Sequence, residues 1–135
     1  SYFKTHQQLY YDKLNAYHNN RPEEWLNFYL DGIIETAEQS INTSMRITKL
    51  RETDMLKIQS LGKREAGSGV RFLQLLYRHP VISTTIVMSE MKFTRPGASK
   101  LIDRFVELEI LKPLDDTIKY GKTYLYDKYI SIFNT

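Results

Sequence analysis

The stretch TRPGASKLIDRFVELEIL, residues 94–111, decides how this chain folds. Within it Ala98, Leu101, Ile102, Phe105, Val106 and Leu108 recur at i, i+3, i+4, i+7 spacing, the mark of a helix with one packing face. Ser99, Lys100, Asp103, Arg104 and Glu107 fall mainly on the outward side. Thr94 or Arg95 is placed to cap the helix, and Pro96 suits its first turn, where a missing N–H leaves no bond unmade. The helix therefore packs with one face and leaves the other free to meet a partner.

Working outward, residues 70–78 (VRFLQLLYR) read as a short amphipathic helix that must stop by His79, because a residue before proline avoids the α region. Val81 and Ile82 are β-branched and suit a brief strand. Ser83 or Thr84 can cap a helix over residues 85–91, and Lys92, Phe93 and Thr94 make a tight turn into the 94–111 stretch. Downstream, residues 110–114 and 124–132 are strand-like runs on either side of a turn-rich tip, residues 115–122. Helix, short strand, helix, tight turn, helix and β-hairpin is the order of a winged helix, a helix-turn-helix variant. The expected class is mainly α with a small β-hairpin, a helical segment followed by a winged-helix domain. Lys92 and Glu109 stand at turn positions where glycine is usual, and a left-handed backbone kept there costs a non-glycine residue about 1 kcal/mol.

The first half is helical by period. Tyr2, Phe3, Leu9, Tyr10, Leu14 and Tyr17 suit a first helix, followed by turn chemistry at His18, Asn19, Asn20, Arg21 and Pro22. A long second helix follows, with Glu23 and Glu24 complementing its N-terminal dipole. Trp25, Leu26, Phe28, Tyr29, Leu30, Ile33, Ile34, Ala37, Ile41 and Met45 carry its helical spacing. Between residues 50 and 61 polar residues thicken while Met55, Leu56, Ile58 and Leu61 keep apolar positions, so the helix either continues or re-forms after a kink before ending near residue 61. Residues 62–69 hold three glycines and read as a linker, so the expected domains are 1–61, helical, and 70–135, winged helix.

Composition bounds the function. At 135 residues, 41% hydrophobic and 26% charged, the chain is large enough for a modest core and too small for a multi-site enzyme. It has no cysteine, hence no disulfide framework, thiolate metal site or Cys nucleophile, which fits a reducing compartment. No apolar run approaches the roughly 20 residues of a membrane span and no signal peptide opens the chain, so a cytoplasmic protein without a membrane partner is expected. The helical period begins almost at Ser1 and there is no initiator Met, as in a piece of a longer protein. Residues 1–61 carry 7 Lys and Arg against 8 Asp and Glu, residues 62–135 carry 12 against 8, and the basic surplus thus belongs to the second half. Such a surplus suits phosphates or an acidic protein surface.

The residues that could carry chemistry are few. His79 lacks a second His or an acid at ligand spacing and reads as a helix-terminal His; His6 and His18 read likewise. Gly67, Ser68 and Gly69 with Lys63 and Arg64 nearby lack the preceding strand and the Gly-Lys-Ser/Thr ending of a phosphate loop. The ten tyrosines and Trp25 sit at packing positions. No catalytic or metal-binding residue is expected. Function competes on one surface: Arg95, Ser99, Lys100 and Arg104 on the helix could enter a DNA groove, with Lys119 and Lys122 on the wing. Asp103 and Glu107 share that helix and Asp115 and Asp116 flank the hairpin, where they repel phosphates. DNA and a protein target both stand as partners.

The segment YYDKLNAYHNNRPEEWLNFYLDGIIETA, residues 10–37, resembles the stretch that follows the catalytic loop in Fic-family proteins, with its double Tyr, its Trp and its aromatic-Leu-x-Gly run. Residues 94–111 and YLYDKYISIF, residues 124–133, resemble the winged helix at the C-terminus of many longer members. The resemblance implies a parent that transfers AMP from ATP to protein hydroxyls. The family motif His-Pro-Phe-x-x-Gly-Asn-Gly-Arg is missing here; only His79 and Pro80 echo it, followed by Val81, Ile82 and Ser83. General base, acidic metal ligand and phosphate loop thus belong to an upstream catalytic core, the first expected partner of this chain, and ATP and Mg are expected only there. The alternative is a stand-alone winged-helix transcription regulator that binds DNA as a homodimer through its N-terminal helices.

Overall fold

The computed structural model describes residues 6–18, 22–115 and 121–134. Tyr2 and Phe3 of the expected first helix, Asn19, Asn20 and Arg21 of the turn after it, and residues 116–120 of the hairpin tip lie outside the described residues. The protein is mainly helical with a small three-stranded antiparallel sheet. In chain order the described elements are α1 (Gln7–His18), α2 (Pro22–Gln59), α3 (Lys63–Arg78), β1 (Val81–Ser83), α4 (Thr84–Met91), α5 (Arg95–Glu107), β2 (Lys112–Pro113), β3 (Thr123–Leu125) and α6 (Asp127–Phe133). Two compact units divide the chain, Ser1–Met45 and Arg46–Thr135. No described helix is long and apolar enough to cross a membrane.

In the first unit, Trp25 and Tyr29 stack at 5.3 Å, and Phe28 and Gly32 are buried. Leu26, Leu30, Ile33, Ile34, Ile41 and Met45 remain exposed. The helical period of residues 25–45 is thus real, but only part of it is packed.

The second unit holds one core. Phe72, Leu76, Ile82, Val87, Ala98, Ile102 and Phe105 are almost wholly buried, and Ile58 joins them from the end of α2. Phe72 and Phe105 meet at 4.5 Å, which couples α3 to α5. Of residues 62–69, expected as a linker, Gly62 is the N-cap and 63–69 are the start of α3, which runs without interruption from Lys63 to Arg78. The physical reason is packing. Gly69 is buried where α3 passes α2, and a Cβ there would lie 2.8 Å from Ile58 Cγ2. A glycine inside a helix costs about 1 kcal/mol. Burying Phe72, Leu73, Leu75 and Leu76 from the same helix returns about 1.5–3 kcal/mol each, so burial wins. The helix ends as expected at Arg78, with the His79 N–H donating to the Leu75 carbonyl ahead of Pro80.

β3 is the central strand. Val81, Ile82 and Ser83 pair antiparallel with Leu125, Tyr124 and Thr123, while Lys112 and Pro113 pair with Leu125 and Tyr124 from the other side. The strand-like run 124–132 is corrected as well: pairing stops at Leu125 and residues 127–133 are helical. Tyr126, Tyr129 and Phe133 recur at helical spacing and form a continuous aromatic contact, 5.4 Å and then 5.2 Å between rings. That contact, together with the burial of Ile132, overrides the β preference of Ile130 and Ile132.

Both turns that lack glycine keep the left-handed backbone. Lys92 has φ 56° and ends α4, its N–H donating to the Met88 carbonyl. Glu109 has φ 60°. Around it the Ile110 N–H donates to Phe105 and the Glu109 N–H to Val106, which is the paired bonding of a Schellman end. At the other ends, Ser83 Oγ accepts from the Ile86 N–H and Thr94 Oγ1 from the Gly97 N–H, so Ser83 and Thr94 are the caps.

Candidate functional site

The site is built on α5. Its Ala98, Leu101, Ile102 and Phe105 are buried in the core, which fixes the rotation of the helix and turns the polar residues away from the core. Arg95 is exposed in the first turn, Ser99 is half-buried, and Lys100 is exposed. Lys122 is half-buried just before β3, and Lys119 lies outside the described residues.

Two of the expected cations have a specific orientation. Lys100 Nζ lies 3.7 Å from Glu65 Oε1, and Arg104 Nε lies 3.6 Å from Glu65 Oε2. Arg104 also donates from Nη1 to Glu107 Oε2 at 3.2 Å. Glu65 stands in the first turn of α3, so one carboxylate gathers two cations of α5. These pairs are largely solvated and contribute about 0–1 kcal/mol each; they set side-chain positions rather than stability.

Between the start of α3 and α5 lies an open cleft of about 700 Å³. Lys63, Arg64, Lys100 and Arg104 line it with Glu65, and Leu61, Phe93 and Leu101 supply its apolar wall. A linker over residues 62–69 leaves no place for Lys63, Arg64 and Glu65 in this site, and Phe93 is legible only as part of a turn. A usable signal is nonetheless present in the sequence: Ala66, Gly69, Val70 and Leu73 continue the helical period backward from residues 70–78.

The other unforeseen polar group is Asp54, buried on α2 among the side chains of the second unit. Burial raises its carboxyl above the ordinary range, an effect opposed by the hydrogen bond from Tyr126 and by Lys57 and Lys128. Burial, and then the Asp54 carboxylate itself, push the Tyr126 hydroxyl up, so it stays a donor.

His79 is the C-terminal cap of α3, and Pro80 separates it from β1. Gly67, Ser68 and Gly69 are helical. Compared with known proteins, the chain matches no family model and no curated protein.

Proposed function

We propose that this chain is the non-catalytic C-terminal region of a Fic-family protein and that its second unit contains a winged helix serving as a recognition module. The observation that carries the reading is the α4–Lys92–α5 arrangement: a left-handed tight turn leads into a helix whose polar residues are exposed, with the antiparallel β2–β3 pair following. The exposed apolar residues Leu26, Leu30, Ile33, Ile34, Ile41 and Met45 support a further protein mass against residues 22–45, as a helical catalytic lobe would supply. A cytoplasmic location goes with this reading. ATP and Mg would serve only that lobe.

The reading is tested by the full reading frame, which should carry His-Pro-Phe-x-x-Gly-Asn-Gly-Arg upstream of Ser1; a frame without it overturns the Fic assignment. The purified chain should transfer no label from ATP to proteins of an extract.

A stand-alone DNA-binding regulator is the second reading, favoured by exposed Arg95 and Lys100 on α5 with Lys122 on the sheet side. Such binding would be salt-sensitive, with log affinity falling by about 0.9 per neutralised phosphate for each unit of log salt. Replacing Arg95, Lys100 and Arg104 together with Ala would abolish it.

A further inference from the structure

We propose that the cleft between the first turn of α3 and α5 binds an acidic, extended peptide segment that carries one apolar anchor residue. This names the partner class of the recognition module and rests on that reading. Charge is the first argument. Four cations, Lys63, Arg64, Lys100 and Arg104, line the cleft against the one carboxylate of Glu65. The second is its wall: Leu61, Phe93 and Leu101 offer apolar surface that phosphates cannot use and a Leu or Phe side chain can. Its size, about 700 Å³, suits a few peptide residues.

Duplex DNA is the poorer occupant. Lys100 and Arg104 are drawn toward Glu65, and Asp103 and Glu107 are exposed on the same helix, where they would face the phosphate backbone. A peptide carboxylate, in contrast, can replace Glu65 on Arg104 through paired N–H bonds, exchanging one carboxylate for another. Gly62 also lines the cleft, and its lack of a side chain leaves room for a peptide backbone, since a Cβ there would meet nothing within 4 Å.

Fluorescence anisotropy on the whole 135-residue chain tests this. The probe is a fluorescein-labelled decapeptide of Asp and Glu around one Leu. Its comparators are the same peptide with Ser at the apolar position, a Lys-for-acid version, and a labelled duplex. Saturable binding of the acidic peptide is expected, weakening about tenfold as salt rises from low to near-molar strength. The Ser peptide should bind at least about tenfold more weakly, as loss of an anchor requires. K63E/K100E should lose at least about tenfold as well. Lys63→Glu alone keeps the fold, because a carboxylate suits a first helical turn, and should show part of that loss. Absence of saturable peptide binding, or equal binding by K63E/K100E, overturns the proposal. If the duplex binds and the peptide does not, the peptide site falls and the recognition module stands; if neither binds, both fall.

Discussion

The Tyr126 hydroxyl donates a hydrogen bond to Asp54 Oδ2 in the interior, joining the residue after β3 to α2 across 72 positions of sequence. Only Oδ2 is served: Asp54 Oδ1 is buried without a hydrogen-bond partner among the described residues. Tyr77 and Tyr129 pack their rings on Tyr126 at 5.9 and 5.4 Å, so the pair is enclosed by aromatic surface. Removing the donor leaves a buried carboxylate with less help, and Tyr126→Phe should cost about 2–4 kcal/mol in urea unfolding.

The same pair sets a pH dependence. Because burial raises the Asp54 carboxyl, the folded state holds its proton more tightly than the unfolded state. Its contribution is complete below the unfolded value, about 3.9, and is lost as pH rises through the higher folded value. Asp54→Asn removes this titration and keeps a group able to bond Tyr126. The stability of the parent protein minus that of Asp54→Asn should therefore be greatest at the acid end, fall as pH rises through that window, and level off above it. A flat difference would mean that Asp54 titrates normally.

Lys92 and Glu109 hold left-handed backbone without the freedom of glycine. Lys92→Gly and Glu109→Gly should each stabilise by about 0.5–1 kcal/mol, the relief of the Cβ clash less the added freedom of the unfolded chain. A β-branched residue at position 109 should act in the opposite direction. Chemical denaturation of the single variants measures both.

Two glycines of one helix should respond with opposite signs. A Cβ at Gly67 meets nothing within 4 Å, so Gly67→Ala should stabilise α3 by about 0.5–1 kcal/mol. At Gly69 it meets the branched methyl of Ile58 at 2.8 Å, so Gly69→Ala should destabilise by about 1–2 kcal/mol despite its better helix propensity. Combining Gly69→Ala with Ile58→Ala should give a loss smaller than the sum, and a purely additive result would remove the contact as the cause.

Glu65 gathers Lys100 and Arg104 at distances of 3.7 and 3.6 Å on a solvated surface. Glu65→Ala should therefore change stability by less than about 1 kcal/mol, with the difference shrinking in high salt. Thermal melts at two ionic strengths decide this.

What could be read from sequence was local. The stripe of Ala98, Leu101, Ile102 and Phe105 announced α5, Pro80 announced the end of α3, and the caps were legible to within one residue, Ser83 or Thr84 and Thr94 or Arg95, because these signals act within four residues along the chain. Of the cleft, Lys100 and Arg104 could be picked from their places on α5, whereas Arg95, Ser99 and Lys122 do not line it. Whether Gly69 marks flexibility or close approach was not legible, since the answer is Ile58 on another helix. Residues 127–133 carried both a β preference and a helical aromatic period, and only contact with the core chose between them. Lys63, Arg64, Glu65 and Phe93 joined the cleft, and Asp54 met Tyr126, through the way the elements fold back on one another. Periodicity, caps and breakers act through neighbouring backbone and belong to the sequence alone; partnerships between distant side chains exist only once the core has brought their helices together.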